Sequence, residues 1–175
     1  MKTILLILGM LVSPSLVLFD FSVEADLSRW YVLDDGVMGG LSQGRMSVSE
    51  EGHAVYEGFV SLENNGGFSS LRYRTGQQQL EGQQFAKLRI KGDGKSYQFR
   101  VKSSMRERFS YIYTFQTSGE WETVSIPLAE MYPSFRGMRL NMDNYPGEQL
   151  AEIAFLIGNK KAEKFRLQID SIVLE

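Results

Sequence analysis

The chain has 175 residues, a formal net charge of −2, 12% aromatic and 23% charged residues, 17 glycines, 4 prolines and no cysteine. This length suggests one domain with a sizeable core. Near-neutral charge without a Lys/Arg cluster argues against a nucleic-acid or acidic-membrane binder. The missing cysteines exclude disulfides, thiolate metal sites, cysteine nucleophiles and a lipid-anchoring cysteine.

The N-terminus MKTILLILGMLVSPSLVLFDF carries Lys2 and then no charge until Asp20. Its run Ile4–Val12 reads as the apolar stretch of a secretory signal, and Ser13-Pro14-Ser15 supplies small residues for cleavage. Residues 1–15 are therefore expected to be a signal peptide, and residues 16–175 a single domain. The protein is expected to be exported, periplasmic or extracellular. The competing readings are an uncleaved N-terminal anchor, or a buried first strand in a cytoplasmic protein. The run is shorter than the ~20 residues of a transmembrane helix, and Pro14 interrupts it. The following LVLFDFS reads as a strand.

DDGVMGGLSQG, Asp34–Gly44, holds four glycines in eleven residues. Beyond it the pattern is β. GHAVYEGFVSL puts Ala54, Tyr56, Gly58 and Val60 on one face. Asn64-Asn65-Gly66-Gly67 is a turn rich in residues that tolerate left-handed backbone, read as a hairpin leading into FSSLR. In FAKLRIKGDGKSYQFRVK, Ala86, Leu88 and Ile90 alternate with Lys87, Arg89 and Lys91, and Tyr97, Phe99 and Val101 with Gln98, Arg100 and Lys102. Asp93-Gly94 between them predicts a type I′ hairpin. YIYTFQT and WETVSIPL follow, joined by Ser118-Gly119. LAEMYPSFRG has room for one helical turn before Pro133. EIAFLIG aligns Ile153, Phe155 and Ile157. KFRLQIDSIVLE places Phe165, Leu167, Ile169 and Ser171 on one face. Short alternating strands with regular turn signals predict an all-β sandwich or barrel.

Catalytic signatures are weak. GDGKS lacks the upstream glycine and following helix of a phosphate loop, and DDGVMGG lacks the spacing and βαβ unit of a dinucleotide fingerprint. These glycines are therefore read as a corner, with Gly36, Gly39 and Gly40 where a Cβ does not fit. His53 is the only histidine; it is read as an exposed turn residue, and no G-x-S-x-G elbow accompanies it. A zinc site is excluded for want of ligands, and no calcium ligand cluster is visible. Asp34 and Asp35 point to opposite faces if extended, so they do not serve as a paired acid and base. They are expected to cap the turn by side-chain to backbone bonds. No enzyme activity, cofactor or metal is expected.

Four blocks in order resemble one family: DDGVMGGLSQG, GFVSLENNGGFSSLR (Gly58–Arg72), RIKGDGKSYQFRVK (Arg89–Lys102) and FQTSGEWETVSIPLAEMYPSFRG (Phe115–Gly137). FDFS at Phe19–Ser22 and FRLQIDSI at Phe165–Ile172 extend the likeness. The chain is similar to the complex I intermediate-associated protein 30 family. That resemblance implies a galactose-binding-like jelly-roll β-sandwich. It also implies a protein-interaction or assembly factor, whose partner would be a respiratory-chain or membrane complex. The alternative is an exported carbohydrate-binding module with a glycan ligand. Candidate contacts are Asp34, Asp35, Gly36, Met38, Gly39 and Gly40, which with Asn64 and Asn65 would form one rim. Trp121 is the candidate sugar platform. Arg100 and Arg136 are candidates to grip a carboxylate or a sugar hydroxyl.

Overall fold

The computed structural model describes residues 14–175. The expected signal peptide lies almost wholly outside the described residues. Thirteen strands follow in order: β1 (Leu16–Asp20), β2 (Trp30–Asp34), β3 (Gln43–Val48), β4 (Ala54–Val60), β5 (Ser69–Gln79), β6 (Phe85–Lys91), β7 (Ser96–Lys102), β8 (Ser110–Gln116), β9 (Trp121–Pro127), β10 (Tyr132–Phe135), β11 (Met138–Arg139), β12 (Gln149–Ile157) and β13 (Glu163–Leu174). They form two antiparallel sheets. A six-stranded sheet runs β3-β4-β13-β6-β9, with β1 also on β13; a seven-stranded sheet runs β11-β10-β8-β7-β12-β5-β2. This is the sandwich expected from the alternation, and the jelly roll that the family resemblance implies.

One face of each strand supplies the core. Tyr56, Leu88, Ile90, Leu167 and Ile169 from one sheet meet Leu71, Phe99, Ile153, Phe155 and Ile157 from the other, all fully buried. Removing that apolar area from water is the main stabilising term. Aromatic packing orders it: Phe99 and Phe155 lie 5.5 Å apart, and Trp30 stacks on Tyr73 at 4.7 Å. β12 is buried on both faces from Leu150 to Ile157, because it sits mid-sheet and its outward residues are covered by long neighbours.

Three sequence expectations change. The first is the Asp93-Gly94 hairpin. β6 and β7 belong to different sheets, so their connection crosses the sandwich and makes no ladder. Only Gly94 of the pair has positive φ. Asp93 instead accepts bonds from Lys95 Nζ (2.7 Å), the Tyr97 hydroxyl (3.0 Å) and the Arg166 amide (2.9 Å). Two strands facing each other across a core show the same alternation as two paired strands, and this is why the pattern misled.

The second is the Asn64–Gly67 turn, which likewise links β4 of one sheet to β5 of the other rather than closing a hairpin. Its left-handed geometry is present, with φ of 54° at Asn64 and 58° at Asn65. The third is Ser171. A bulge between Ile169 and Ser171 shifts the register on β6, so Ile172 and Leu174 enter the core instead. The helical turn expected before Pro133 is a 3₁₀ turn at Leu128–Glu130.

Candidate functional site

The glycine-rich segment opens with Asp34 at the end of β2 and Asp35 starting a 3₁₀ turn, Asp35–Met38. Asp35 is fully buried. Its Oδ2 accepts from the Ser42 hydroxyl (2.5 Å), the Gly67 amide (2.6 Å) and the Phe68 amide (3.2 Å), and its Oδ1 from the Ser42 amide (3.0 Å). Burial alone would raise this carboxyl, but the Ser42, Gly67 and Phe68 donors outweigh it and hold the pKa below the usual value. Asp34 completes the corner. Its Oδ1 accepts from Ser69 Oγ (2.5 Å), itself the acceptor of the Tyr56 hydroxyl (2.7 Å), and its Oδ2 accepts from the Gly44 amide (2.9 Å). Two carboxylates thus staple the edge of one sheet to the edge of the other.

The glycines fit around them. A Cβ on Gly40 or Gly66 would strike the Asp35 carboxylate, and one on Gly44 would strike Ser69. Gly36 has open space and no positive φ, contrary to the expectation that a Cβ would not fit there. The motif is therefore a structural corner, and its carboxylates are turned toward N–H and O–H donors. Met38 is 56% exposed on its rim, next to exposed Val37, and exposed Leu41 and Leu62 flank the buried Ser42–Ser61 contact.

The other candidates separate. Trp121 heads β9 on the outer face of the six-stranded sheet, its ring 4.6 Å from His53 with the Arg89 guanidinium 5.7 Å away. His53 is half-buried there, with Nδ1 3.0 Å from Asp170 Oδ1, and is not the exposed turn residue expected. A shallow depression on the same sheet, about 470 Å³, is lined by Gln43, Gly44, Arg45, Glu57, Gly58 and Phe59 together with Lys164 and Phe165; its Arg45 and Glu57 are already paired. Arg136 lies exposed in the β10–β11 turn at φ 50°, over the Phe135 ring.

Arg100 lies on the opposite side of the molecule, on the outer face of the seven-stranded sheet. Core-facing Phe99 and Val101 fix that direction by alternation. The register builds one row across six strands: Tyr31, Arg72, Ala154, Arg100, Ile112, Tyr132. A neighbouring row holds Arg74, Glu152 and Lys102. Glu152 is 2% exposed, accepting from the Tyr31 hydroxyl at 2.6 Å and from Arg72 Nη1 at 3.1 Å. Burial and the bond to Glu152 push the Tyr31 hydroxyl up.

Arg100 is held differently. Its Nε and Nη2 both donate to Gln98 Oε1, at 3.0 and 2.6 Å. Among the described residues no carboxylate pairs with it. Burial, then the positive charge of Arg72, bring it down to about 10. Among the described residues, two solvent-shielded atoms on this face have no hydrogen-bond partner, Arg72 Nε and the Oγ of fully buried Ser70. Natural structures rarely leave buried donors unused. Among the described residues no group of three or more potential metal ligands gathers. Sequence reading missed Tyr31, Ser70, Arg72, Tyr132 and Glu152. The available signal was Glu152 itself, a carboxylate inside the apolar run of β12.

A family model for complex I intermediate-associated protein 30 matches residues 19–169. Solved structures share the sandwich. A family 11 carbohydrate-binding module from Clostridium thermocellum, in complex with a β-1,3-1,4-mixed-linked tetrasaccharide, superposes with TM-score 0.66 and 17% identity over 93% of this chain and 96% of that one. A family 29 carbohydrate-binding module gives 0.53 and 15% over 93% and 88%. An agarase gives 0.56 and 12%, over 92% of this chain but 24% of that one. At these identities the likeness is one of fold.

Proposed function

This chain belongs to the complex I intermediate-associated protein 30 family, and we propose that it is a non-catalytic binding module. In this reading a glycan lies across the outer face of the seven-stranded sheet. The observation that carries it is the row from Tyr31 to Tyr132, beside which one sheet face gathers Arg72, Arg74, Arg100 and Lys102 around the Glu152 carboxylate. A polyhydroxylated ligand supplies many acceptors over such a span. The tetrasaccharide held by a module of this fold supports the choice of ligand class. Export, proposed from the apolar Ile4–Val12 run, accords with it; the mass of the mature protein tests cleavage near residue 15.

The test is affinity electrophoresis of the protein through gels carrying single soluble polysaccharides. Retardation by at least one glycan is expected, abolished by Arg100→Ala and unaffected by Trp121→Ala, which lies on the other sheet. No retardation by any glycan would overturn the reading.

A second reading, a protein-interaction or assembly factor, has its own observation. Val37, Met38, Leu41 and Leu62 are exposed around the Asp35 corner. Exposed apolar side chains gathered in one place mark protein contact sites. A stoichiometric partner lost on Met38→Asp with Leu62→Asp would favour it; unchanged recovery would remove it.

A further inference from the structure

We propose that the β10–β11 end of the molecule is a docking surface for an acidic segment of a partner protein, whose carboxylates settle on Arg108, Arg136 and Arg139. This goes beyond the glycan reading and does not depend on it. No basic run marks the sequence here; the fold assembles the patch from two loops. The β7–β8 loop brings Met105, Arg106 and Arg108, and the β10–β11 hairpin brings Arg136, Met138 and Arg139, all exposed. Pairing of Ser110 with Ser134 sets loop and hairpin side by side. The Arg108 and Arg136 guanidiniums both lie over the Phe135 ring, at 5.6 and 5.4 Å, and Arg139 lies 4.7 Å over Tyr132. Among the described residues none of these four arginines has an ion-pair partner. Among them, too, no strand covers the far side of β11, which ends its sheet.

The backbone at Arg136 points the same way. Arg136 and Gly137 turn the hairpin with φ of 50° and 79°. A two-residue turn with both central φ positive favours Asn-Gly, so a long side chain holds this left-handed backbone at a cost. What the cost secures is a guanidinium at the hairpin tip. Contact with Phe135 restrains it, and its planar fork suits the bidentate grip of a carboxylate. Two carboxylates of the protein stand at this end, Glu107 and Asp143. Burial first, and then these two charges, push the nearby Tyr111 hydroxyl up. An anionic bilayer is negative throughout its plane and would press against both; a peptide sets its charges only where the arginines are. Protein interfaces concentrate arginine, methionine and aromatic residues and avoid lysine, and lysine is absent from residues 103–110 and 132–145.

The probes are a fluorescein-labelled twelve-residue peptide of Glu-Ala-Glu-Leu repeats, its Gln-Ala-Gln-Leu counterpart, and phosphatidylserine vesicles, each titrated with the full chain. At low salt the Glu peptide should bind at least tenfold more tightly than the Gln peptide, with the preference shrinking as salt rises. Arg108→Glu with Arg139→Glu should weaken it at least tenfold. Lys160→Glu with Lys161→Glu makes the same charge change beyond the opposite end of β12 and should leave binding within twofold. Arg136→Asn separates binding from folding. Its melting temperature should be unchanged or higher, because Asn suits the turn, yet peptide binding should fall at least threefold. That variant keeps the test decisive if the charge reversals misfold. Equal binding of the two peptides, or equal losses in the arginine and lysine variants, would overturn the proposal. So would vesicle binding abolished by Arg108→Glu without peptide binding, which would assign the patch to a membrane. Unchanged peptide binding in a folded Arg136→Asn would overturn it as well.

Discussion

The Asp35 carboxylate accepts the amide of Gly67, 32 residues away, at 2.6 Å. Two glycine-rich segments far apart in sequence are thereby halves of one corner. Each half supplies what the other lacks: DDGVMGG brings the charge, and ENNGGF brings backbone donors that would otherwise be buried and unpaired.

Asp35→Ala should therefore destabilise the fold strongly. It removes a charged acceptor and strands the Gly67, Phe68 and Ser42 donors. A loss of about 3 kcal/mol or more is expected, since bonds to charged groups contribute about 1.5–3 kcal/mol and orphaned donors add their desolvation cost. A urea melt with an unchanged midpoint would show that the corner is not what holds the sheets together.

The same carboxylate predicts an acid limit. Its folded pKa lies below the unfolded value of about 3.9. The stabilisation is complete above that unfolded value and is lost as pH falls through the folded one. The stability gap between wild type and Asp35→Asn should be widest near neutral pH and shrink below about pH 4. A gap constant from pH 7 to pH 3 would contradict the assignment.

The three corner glycines should respond differently to alanine. Gly36→Ala should be nearly neutral, because space is open and φ is not positive. Gly39→Ala, at φ 90°, should cost about 1 kcal/mol or more for left-handed backbone. Gly40→Ala should cost most, because its Cβ meets the Asp35 carboxylate, and Gly40→Val more still. The φ of Gly40 is not positive, so its cost comes from contact and not from backbone strain. Equal thermal shifts for all three would refute this order.

Much of the fold is legible in the sequence because burial imposes period two on a strand with one wet face. Ala86-Leu88-Ile90 and Tyr97-Phe99-Val101 alternate as read, and each set is buried. Which strands pair is not legible, because facing and pairing give one pattern, so GDGKS looked like a hairpin. The site is less legible still. Arg72, Arg100 and Glu152 are separated by up to 80 residues and converge only through the β7-β12-β5 order. Trp121 and Arg100, both sensible candidates singly, fall on opposite faces because β9 and β7 belong to different sheets.

Asp93→Ala tests the cross-sheet link. The carboxylate ties Lys95, the Tyr97 hydroxyl and the Arg166 amide of β13. With burial, its charge pushes the Tyr97 hydroxyl well above its ordinary value. A loss of about 2 kcal/mol is expected from these bonds, read as a lower urea midpoint. A simple exposed hairpin turn would give almost none.

Glu152 offers a separation of stability from binding. Breaking a buried pair by removing one partner typically costs about 3–5 kcal/mol, because a charge is left buried alone. Glu152→Ala should do so, leaving Arg72 beside Arg100 with no carboxylate between them. Replacing the pair together, as Arg72→Met with Glu152→Leu, should restore most of the stability, since apolar substitutes for a buried ion pair are often neutral or better. Yet that double variant should still lose glycan retardation, because the Arg72 guanidinium and the order it imposes on the row are gone. A double variant that is both stable and fully retarded would show that Arg72 and Glu152 serve the fold alone.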